Sequence, residues 1–390
     1  MESAKKIKLM LYTVIISLII LQNLFSQDYQ KTNNEGSNSH SLQTDTLKTS
    51  NKVQQLKNSD FEIFPILSYD TDIGFGYGLK SFFLNFLGIN ESFDLVLFNS
   101  TKGERWYRFV FSIPDFELRQ GKVYPYSLDL VVDYDKWINN SFFGVGNNSS
   151  FSDREYYTRE PFEISVVFSR GFTERFVGQV GVKYLSIKNH NFSNGSNLSV
   201  LPPDLNKETA IYNSININFR FDSRNSYINP SQGLVLESEA EFAPSILLSN
   251  VAFNRYGGSI QYYTLIFLPE IVFASRFVFQ ALSGENLPVQ VLLSIGGNRT
   301  LRGYVQDRFL DKVSALFNTE IRFPIYWRFG GIVGFDAGKV WSDIGKFDLM
   351  NWATNPVFGL RFNMDNFIVR ADIGISKETT GFYFNFGHLF

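Results

Sequence analysis

The feature that most constrains this chain is an alternation of apolar and polar residues that runs over residues 61–390. In "AIYNSININFRFD", Ile215 and Ile217 fall on one face of an extended chain, and Asn216 and Asn218 fall on the other. Successive side chains of a β-strand point to opposite faces of the sheet, so a period of two indicates strands with one apolar and one wet face. Counting these segments predicts an all-β fold of about sixteen strands.

The lengths of the connections distinguish a barrel from a sandwich. Long connections are predicted at 135–156, 188–209, 283–310 and 340–355, and all of them follow odd-numbered strands. Connections after even-numbered strands are mostly short, with 223–232 as the main exception. Outer-membrane barrels have short turns at one end and long loops at the other, whereas a soluble sandwich has no reason to sort its connections in this way. The pattern therefore predicts a transmembrane antiparallel β-barrel of about sixteen strands.

The aromatic content agrees with a barrel in lipid. The 390 residues include 41 Phe and 19 Tyr, yet hydrophobic residues reach only 44%. This balance suits strands that face lipid on one side and water on the other, although composition alone leaves a large soluble sandwich open. The last segment places four phenylalanines on one face, namely Phe382, Phe384, Phe386 and Phe390. A lipid-facing strand needs only lipid against such a face, so we expect all four to point outward.

The N-terminus resembles an export signal followed by a linker. Three lysines precede the apolar run Leu9–Leu21, and a small residue, Ser26, follows it. This arrangement predicts a signal peptide over 1–26, because thirteen apolar residues are too few to span a bilayer comfortably; a retained anchor is the alternative. Residues 27–60 are rich in Asn, Ser, Thr, Gln and Lys, which predicts a disordered polar linker. The barrel is then expected over 61–390.

Several functional classes find no support in the sequence. The net charge of −2 gives no reason to expect a nucleic-acid partner. Cysteine is absent and His40, His190 and His388 are scattered, so we expect no metal site and no cofactor. No nucleophile motif surrounds the many Ser and Asp residues, so we expect no enzymatic activity and no catalytic residues.

One long connection departs from the alternating pattern and carries a recognisable motif. The stretch "IGGNRTLRGYVQDRF" contains three glycines and three arginines, and "ALFNTEIRFPI" and "GIVGFDAGKVW" follow it. Together with the turn "DSRNSYINPSQG" and the C-terminal strand signal ending in Phe390, these segments resemble the BamA/TamA family of outer-membrane barrels. The loop motif of that family is matched by Leu301, Arg302, Gly303 and Tyr304. The resemblance spans about residues 60–390.

The resemblance implies that this long loop folds back into the barrel lumen. In that family the loop arginine pairs with inward-facing acids on the next two strands, which here would be Arg302 with Glu320 and Asp336. The alternation agrees independently, because it turns both acids away from the apolar face of their strands. Gly334 and Gly338 flank Asp336 and leave room for a loop to approach.

The resemblance also implies a function that does not involve catalysis. Barrels of this type insert or assemble outer-membrane proteins, or translocate polypeptide or lipid, through a lateral seam between the first and last strands. Expected partners are outer-membrane lipid, unfolded outer-membrane proteins and a separate periplasmic partner with POTRA domains, because the linker 27–60 leaves no room for such domains. Two alternatives stay open: a passive pore or transporter, and a surface barrel that transports nothing. The expected location is the bacterial outer membrane.

Overall fold

The computed structural model describes residues 59–202, 204–246, 248–268, 270–364 and 367–390. The predicted signal peptide 1–26 and almost all of the predicted linker 27–60 lie outside the described residues. Within the described ranges, no helix is long and apolar enough to cross a membrane.

Strands account for most of the described chain. In order they are β1 (Asp60–Asp70), β2 (Gly74–Leu84), β3 (Ser92–Ser100), β4 (Arg105–Ile113), β5 (Tyr124–Phe142), β6 (Glu155–Gly171), β7 (Phe176–His190), β8 (Thr209–Asp222), β9 (Gly233–Ala243), β10 (Phe253–Leu265), β11 (Val272–Ser283), β12 (Leu293–Ile295), β13 (Phe309–Asp311), β14 (Val313–Tyr326), β15 (Phe329–Trp341), β16 (Ala353–Asn363), β17 (Ile368–Ile375) and β18 (Thr380–Phe386). One short helix, α1 (Phe116–Arg119), and four 3₁₀ turns, Phe151–Asp153, Leu198–Val200, Val289–Val291 and Ile344–Lys346, complete the elements.

Sixteen of these strands close into one antiparallel barrel. Each strand from β1 to β11 pairs with its neighbours in sequence, β11 then pairs with β14, and β18 returns to β1. The remaining two strands, β12 and β13, form a separate hairpin inside the connection between β11 and β14. This architecture confirms the predicted all-β antiparallel barrel of about sixteen strands.

The two faces of the barrel wall differ as the alternation predicts. Apolar residues that are 36–50% exposed cover the outer face, among them Val180, Ile215, Phe219, Phe358, Phe382 and Phe384. Most charged residues of the strands that form ion pairs turn to the lumen, among them Asp129, Lys183, Arg220, Glu241 and Glu320. Lipid can solvate the apolar outer side chains but not the charged ones. The outer face is therefore the one that contacts the membrane.

Connections at the two ends of the barrel differ in length. At one end, which we call the loop end, lie the connections 143–154, 191–208, 244–252, 284–312 and 342–352. At the other, the turn end, the longest connections are 114–123 and 223–232. The predicted sorting of connections is therefore present, with one difference of extent: β5 continues to Phe142, so the loop predicted to begin at residue 135 begins eight residues later.

The C-terminal residues contradict one expectation. Strand β18 ends at Phe386, and Gly387 takes a φ of 78° while its N–H donates to the carbonyl of Ile368 over 2.7 Å. This left-handed turn directs the chain inward. Phe390 therefore does not share the outer face with Phe382, Phe384 and Phe386.

Phe390 instead packs in the lumen. Its ring lies 6.3 Å from that of Tyr263, and Arg276 and Arg322 each lie 5.3 Å from its centroid. Cations above an aromatic face gain electrostatic energy that lipid cannot offer. Strand alternation could not predict this position, because alternation ends where the strand ends.

Paired substitutions on β8 test the assignment of the two faces. Ile215 is mid-strand and 49% exposed, whereas Asn218 lines the lumen cavity. Arg at a mid-membrane position on the lipid face costs on the order of 2–4 kcal/mol, while a lumen site tolerates it. We expect Ile215→Arg to reduce the amount of heat-modifiable, folded barrel in membranes and Asn218→Arg to leave it near the parent level. Equal yields from both variants would contradict the strand phase.

Candidate functional site

The connection 284–312 enters the barrel from the loop end and forms the centre of the site. Its base is the β12–β13 hairpin, in which Leu293 pairs with Asp311 and Ile295 with Phe309. At the tip, Gly296 and Gly297 have φ values of 129° and 87°, which residues other than glycine rarely adopt. These two glycines let the chain reverse inside the lumen. We call this connection the lumen loop.

Arg302 lies at the tip of the lumen loop and is fully buried. Its Nε and Nη2 donate to the two carboxylate oxygens of Asp336 over 3.0 and 2.9 Å, and its main-chain N–H donates to the same carboxylate over 3.1 Å. Its Nη1 donates to Glu320 over 2.6 Å and to Asp372 over 3.1 Å. The planar guanidinium thus donates four hydrogen bonds to three carboxylates, which is more than the three N–H donors of a lysine ammonium allow.

The predicted partners meet, and the structure adds a larger network around them. Three carboxylates, Glu320, Asp336 and Asp372, share the space with four arginines, Arg302, Arg322, Arg361 and Arg370, and none of the seven is more than 6% exposed. Arg322 donates to Glu320 over 2.9 Å, and both Arg361 and Arg370 pair with Asp372. Asp336 receives its remaining bonds from the side-chain amides of Asn318 and Asn355. Among the described residues, Arg302 is therefore the cation that pairs with the buried charge of Asp336.

Sequence reasoning missed Asp372 and its two arginines, although a signal for them was present. In "FIVRADIGIS" the alternation places Arg370, Asp372 and Gly374 on the polar face. The resemblance directs attention to acids on two strands, and the third acid lies two strands further along the wall, on β17. The alternation of side chains along β17 is enough to place Asp372 on the inner face.

Glycines in the wall give the loop its close approach. A Cβ on Gly374 or Gly381 would lie 2.3–2.4 Å from main-chain atoms of Arg302, and a Cβ on Gly338 would lie 2.9 Å from Ile295. Gly303 has no positive φ, but a Cβ there would lie 2.6 Å from Asn355. Backbone therefore packs on backbone at Gly374 and Gly381, whereas the loop approaches Gly334 and Gly338 through its side chains.

Apolar residues of the motif fill the space beside the charges. Leu301 is fully buried and Tyr304 is 2% exposed, and both belong to a cluster with Ile295, Phe309 and Val340. The ring of Tyr304 lies 5.4 Å from that of Phe309. Because this cluster excludes water from one side of the network, the ion pairs act at a low effective dielectric constant.

Arg308 fixes the loop to its neighbours at the loop end. This side chain, 2% exposed, donates to both carboxylate oxygens of Glu378 over 2.6 and 2.9 Å and to Ser149 over 2.8 Å. Its guanidinium also lies 4.6 Å from the rings of Phe143 and Phe309. Sequence reasoning missed this residue, since its partners come from two separate connections.

The lumen stays open toward the turn end. A cavity of about 1190 Å³ lies there, bounded by β2–β11 and by the connection 114–123. Charges of both signs line it, including Lys80, Asp129, Glu237 and Arg276. The C-terminal residues reach this end, where His388 Nε2 lies 3.0 Å from Asn229 Oδ1. Burial and the nearby Arg322 hold the pKa of His388 well below its usual range.

The seam between β1 and β18 has the fewest paired residues of any join in the wall. The paired residues are Tyr69 with Phe384 and Asp70 with Tyr383. By contrast, β1 and β2 pair along the whole of Asp60–Asp70. Thr71 extends the seam by one step, since its N–H donates to the carbonyl of Phe382 over 3.1 Å. Within the described residues, 60–68 of β1 therefore have a strand partner on one side only.

The lumen loop touches the seam where it is closed. The main-chain N–H of Gln306 donates to Asp72 over 3.0 Å, and Asp72 belongs to the turn that follows β1. Burial raises the pKa of Asp72 to about 6. On the other side of the seam, the hydroxyl of Thr379 donates to the carbonyl of Gly303 over 2.8 Å. The loop thus bridges the two strands that form the seam.

No group of three or more acidic or histidine side chains in the described part of the chain has the arrangement of a metal site. What the geometry provides is a plugged lumen, a network of buried charges and an incomplete seam.

Comparison with known proteins agrees with this architecture. The Omp85 superfamily domain matches residues 85–390. The chain belongs to the Omp85 superfamily. No curated protein matches it significantly. Barrels of this superfamily reside in the bacterial outer membrane and act in insertion or translocation. The resemblance to BamA-type barrels is thereby confirmed at the level of superfamily and fold.

Solved structures share the fold at low sequence identity. BamA from Haemophilus ducreyi lacking POTRA domains 1–3 is 14% identical, with a TM-score of 0.62 over 84% of this chain and 70% of that one. CdiB from Acinetobacter baumannii is 16% identical, with a TM-score of 0.56 over 86% of this chain and 61% of that one. CdiB from Escherichia coli is 12% identical, with a TM-score of 0.61 over 83% and 62%. This chain therefore spans less than two thirds of either CdiB chain.

Substitutions of Arg302 test whether the buried network stabilises the loop. Arg302→Ala leaves Asp336 buried without its cation, and removing one partner of a buried pair costs roughly 3–5 kcal/mol. We expect a lower melting temperature of the barrel and faster proteolysis within 284–312, with only partial rescue by Arg302→Lys.

The matched control is Arg108→Ala. Arg108 pairs with Asp133 over 3.2 Å in the lumen, but the two side chains are 41% and 22% exposed. A solvated pair contributes about 0–1 kcal/mol, so this variant should melt close to the parent. If Arg302→Ala melts no lower than Arg108→Ala, the buried network does not hold the loop.

Proposed function

We propose that this barrel assists the insertion or assembly of outer-membrane proteins, or their translocation, through the seam between β1 and β18. The observation that carries the proposal is the free edge of β1 along residues 60–68. An unpaired strand edge is a template on which another strand can add by main-chain hydrogen bonds.

Energetics in the membrane favour such an addition. Phe61 and Ile63 of β1 are 46% and 53% exposed, so this edge carries apolar side chains suited to lipid. Backbone groups without partners cost several kcal/mol each in hydrocarbon. An incoming strand that pairs with β1 removes this cost for both chains. The free edge is therefore a binding site for an unfolded strand that is itself unpaired.

The lumen loop determines how the seam opens in this proposal. Contacts from Gln306 to Asp72 and from Gly303 to Thr379 hold the loop end of the seam together. The turn end of the seam has no comparable brace among the described residues, since β18 ends at Phe386 and the chain turns inward at Gly387. Opening that starts from the turn end would leave the Arg302 network intact.

A passive pore is the second candidate. The cavity of about 1190 Å³ at the turn end supports it. The loop end of the lumen, however, is filled by the lumen loop, whose Arg302 is fully buried. A conducting path would require this loop to leave its network, at the energetic cost of separating buried charges. A surface barrel that transports nothing is the third candidate.

Export and partners belong to the same proposal. A signal peptide over 1–26 would direct the chain to the outer membrane, and 27–60 would be a linker. Loop motif residues 301–304, with Glu320 and Asp336, would act as a structural lock and not as a catalytic group. Phe382, Phe384 and Phe386 would form the lipid-facing C-terminal strand signal, and a separate protein with POTRA domains would deliver substrates.

A disulfide across the seam tests whether it must open. The chain contains no cysteine, so Tyr69→Cys with Phe384→Cys introduces a single pair at facing positions of β1 and β18. Facing residues in an antiparallel ladder are close enough for a disulfide. We expect the oxidised variant to lose the ability to restore levels of other outer-membrane barrels in depleted cells, and a reductant to return it.

The matched control places the disulfide inside the continuous wall. Leu67→Cys with Tyr77→Cys joins β1 to β2 at facing positions on the same outer face. This variant should function when oxidised. If the locked seam supports barrel assembly as well as this control does, the seam does not need to open. Steady conductance of the parent in a planar bilayer would favour the passive pore instead.

A further inference from the structure

The connection 342–352 folds down over the outside of the barrel wall. Val313 and Ala315 of β14 belong to the outward-facing set of their strand, yet they are 1% and 0% exposed. Phe317 and Ile321, on the same face and nearer the turn end, are 38% and 40% exposed. The covering material is 342–352, which we call the outer flap.

Aromatic contacts hold the outer flap against the wall. Phe347 lies 4.8 Å from the ring of Trp341 and 6.1 Å from that of Phe279 on β11. Trp352 lies 5.8 Å from Trp341. Trp341 and Phe279 point outward, so the flap packs on the lipid side of the wall and not in the lumen.

An ion pair between a buried lysine of the wall and the half-exposed Asp348 fixes the flap at its centre. Lys339 is an outward-facing residue of β15 and is 9% exposed. Its Nζ donates to both oxygens of Asp348 over 2.7 and 2.8 Å and to the carbonyl of Met350 over 2.8 Å. The indole N–H of Trp341 also donates to Asp348. Asp348, one of the three charged residues of the flap, is therefore paired with the wall.

The flap also exposes several large apolar side chains. Leu349 is 80% exposed, Met350 is 74% exposed and Ile344 is 59% exposed. The polar groups nearby have partners within the flap, since Asp343 accepts from the N–H of Gly345 and Lys346 donates to Ser342. Asp343 and Lys346 are exposed as well, but large apolar side chains grouped on one short connection mark a site of interaction or membrane contact.

The height of the flap on the wall points to the occupant. Ile325 lies near the turn end of β14, and Ala315, which the flap covers, lies ten residues away on the same face. At 3.4 Å per residue and a tilt of about 40°, that length spans roughly 26 Å along the barrel axis, close to the apolar band of an outer-membrane barrel. The flap therefore begins where the acyl chains end and where aromatic girdles occur.

We propose that the outer flap is a lipid anchor whose Ile344, Leu349 and Met350 enter the boundary of the membrane leaflet at the loop end. The flap packs on the outer face of β15 and β11, beside the lipid-facing residues of the wall, which favours lipid over a protein partner. The anchor rests on the residence of this superfamily in the outer membrane and is independent of the seam.

The anchor acts on the strands that carry the lumen network. Strand β14 bears Glu320 and β15 bears Asp336 on their inner faces, while the flap covers their outer faces. Lipid contact at the flap thus steadies the same two strands that hold Arg302.

Site-specific fluorescence quenching tests the anchor in the full-length chain. Since the chain has no cysteine, Leu349→Cys can carry a single bimane label in liposomes that contain lipids with a nitroxide near the top of the acyl chain. Val200→Cys is the matched control, because Val200 is 77% exposed and lies in another connection at the same end. We expect several-fold stronger quenching by the nitroxide lipid at 349 than at 200, and the reverse order with aqueous iodide. Heat-modifiability verifies that both labelled barrels are folded.

The remaining outcomes decide against the proposal. Equal quenching by lipid at both sites, or iodide access at 349 equal to that at 200, would overturn it. Protection of the label at 349 from both quenchers would indicate contact with a second copy of the chain and would also overturn it. With Asp348→Ala added, the lipid quenching at 349 should fall toward the value at 200; unchanged quenching would show that the pair with Lys339 does not hold the flap.

Discussion

The structure depends on a buried arginine that cannot leave its carboxylates without stranding charge. Arg302 lies in the lumen with Glu320, Asp336 and Asp372, and all four side chains have no exposed surface. Transfer of such charges from water costs several kcal/mol per ion, and only the mutual ion pairs offset that cost. The lumen loop is therefore either fully seated or fully released, because intermediate positions leave an unpaired charge in a site without water. This gives a sixteen-stranded wall a fixed interior despite its wide lumen.

The same constraint explains how the wall is built around the loop. Gly374 and Gly381 let backbone approach Arg302, while Glu320 and Asp336 come from strands whose outer faces carry the flap. One stretch of wall, β14 to β18, thus supplies the three acids that bind Arg302, the glycines that make room for the loop, and β18, which is one side of the seam. The opposite stretch lines the open cavity and contributes mainly pairs that remain partly solvated, such as Arg108 with Asp133. Fully buried ion pairs therefore line one side of the lumen, and partly exposed pairs line much of the other.

Strand alternation predicted the wall and part of the site, and prediction failed where tertiary contacts take over. The phase of β14 and β15 turned Glu320 and Asp336 inward, and the structure pairs both with Arg302. Asp372 was equally accessible from the phase of β17. The expectation for Phe390 was wrong because a left-handed turn at Gly387 ends the strand, and no periodicity reports that turn. The burial of Lys339 depends on a flap folding over the wall, and the sequence between β15 and β16 carries no signal for its direction.

A barrel in lipid normally pairs every strand, because backbone groups without hydrogen-bond partners are costly in hydrocarbon. An unpaired edge therefore requires stabilising contacts elsewhere in the barrel. Here the loop end of the seam is braced by Gln306 on Asp72 and by Thr379 on Gly303, while the edge over residues 60–68 is left free. The lumen network stabilises the closed wall without contributing to that edge. The buried charges that stabilise the closed wall lie beside β14–β18. The free strand edge lies in the backbone of β1, so the two features are separated in space. In the proposed function, this separation lets the seam change partners while the rest of the barrel keeps its fold.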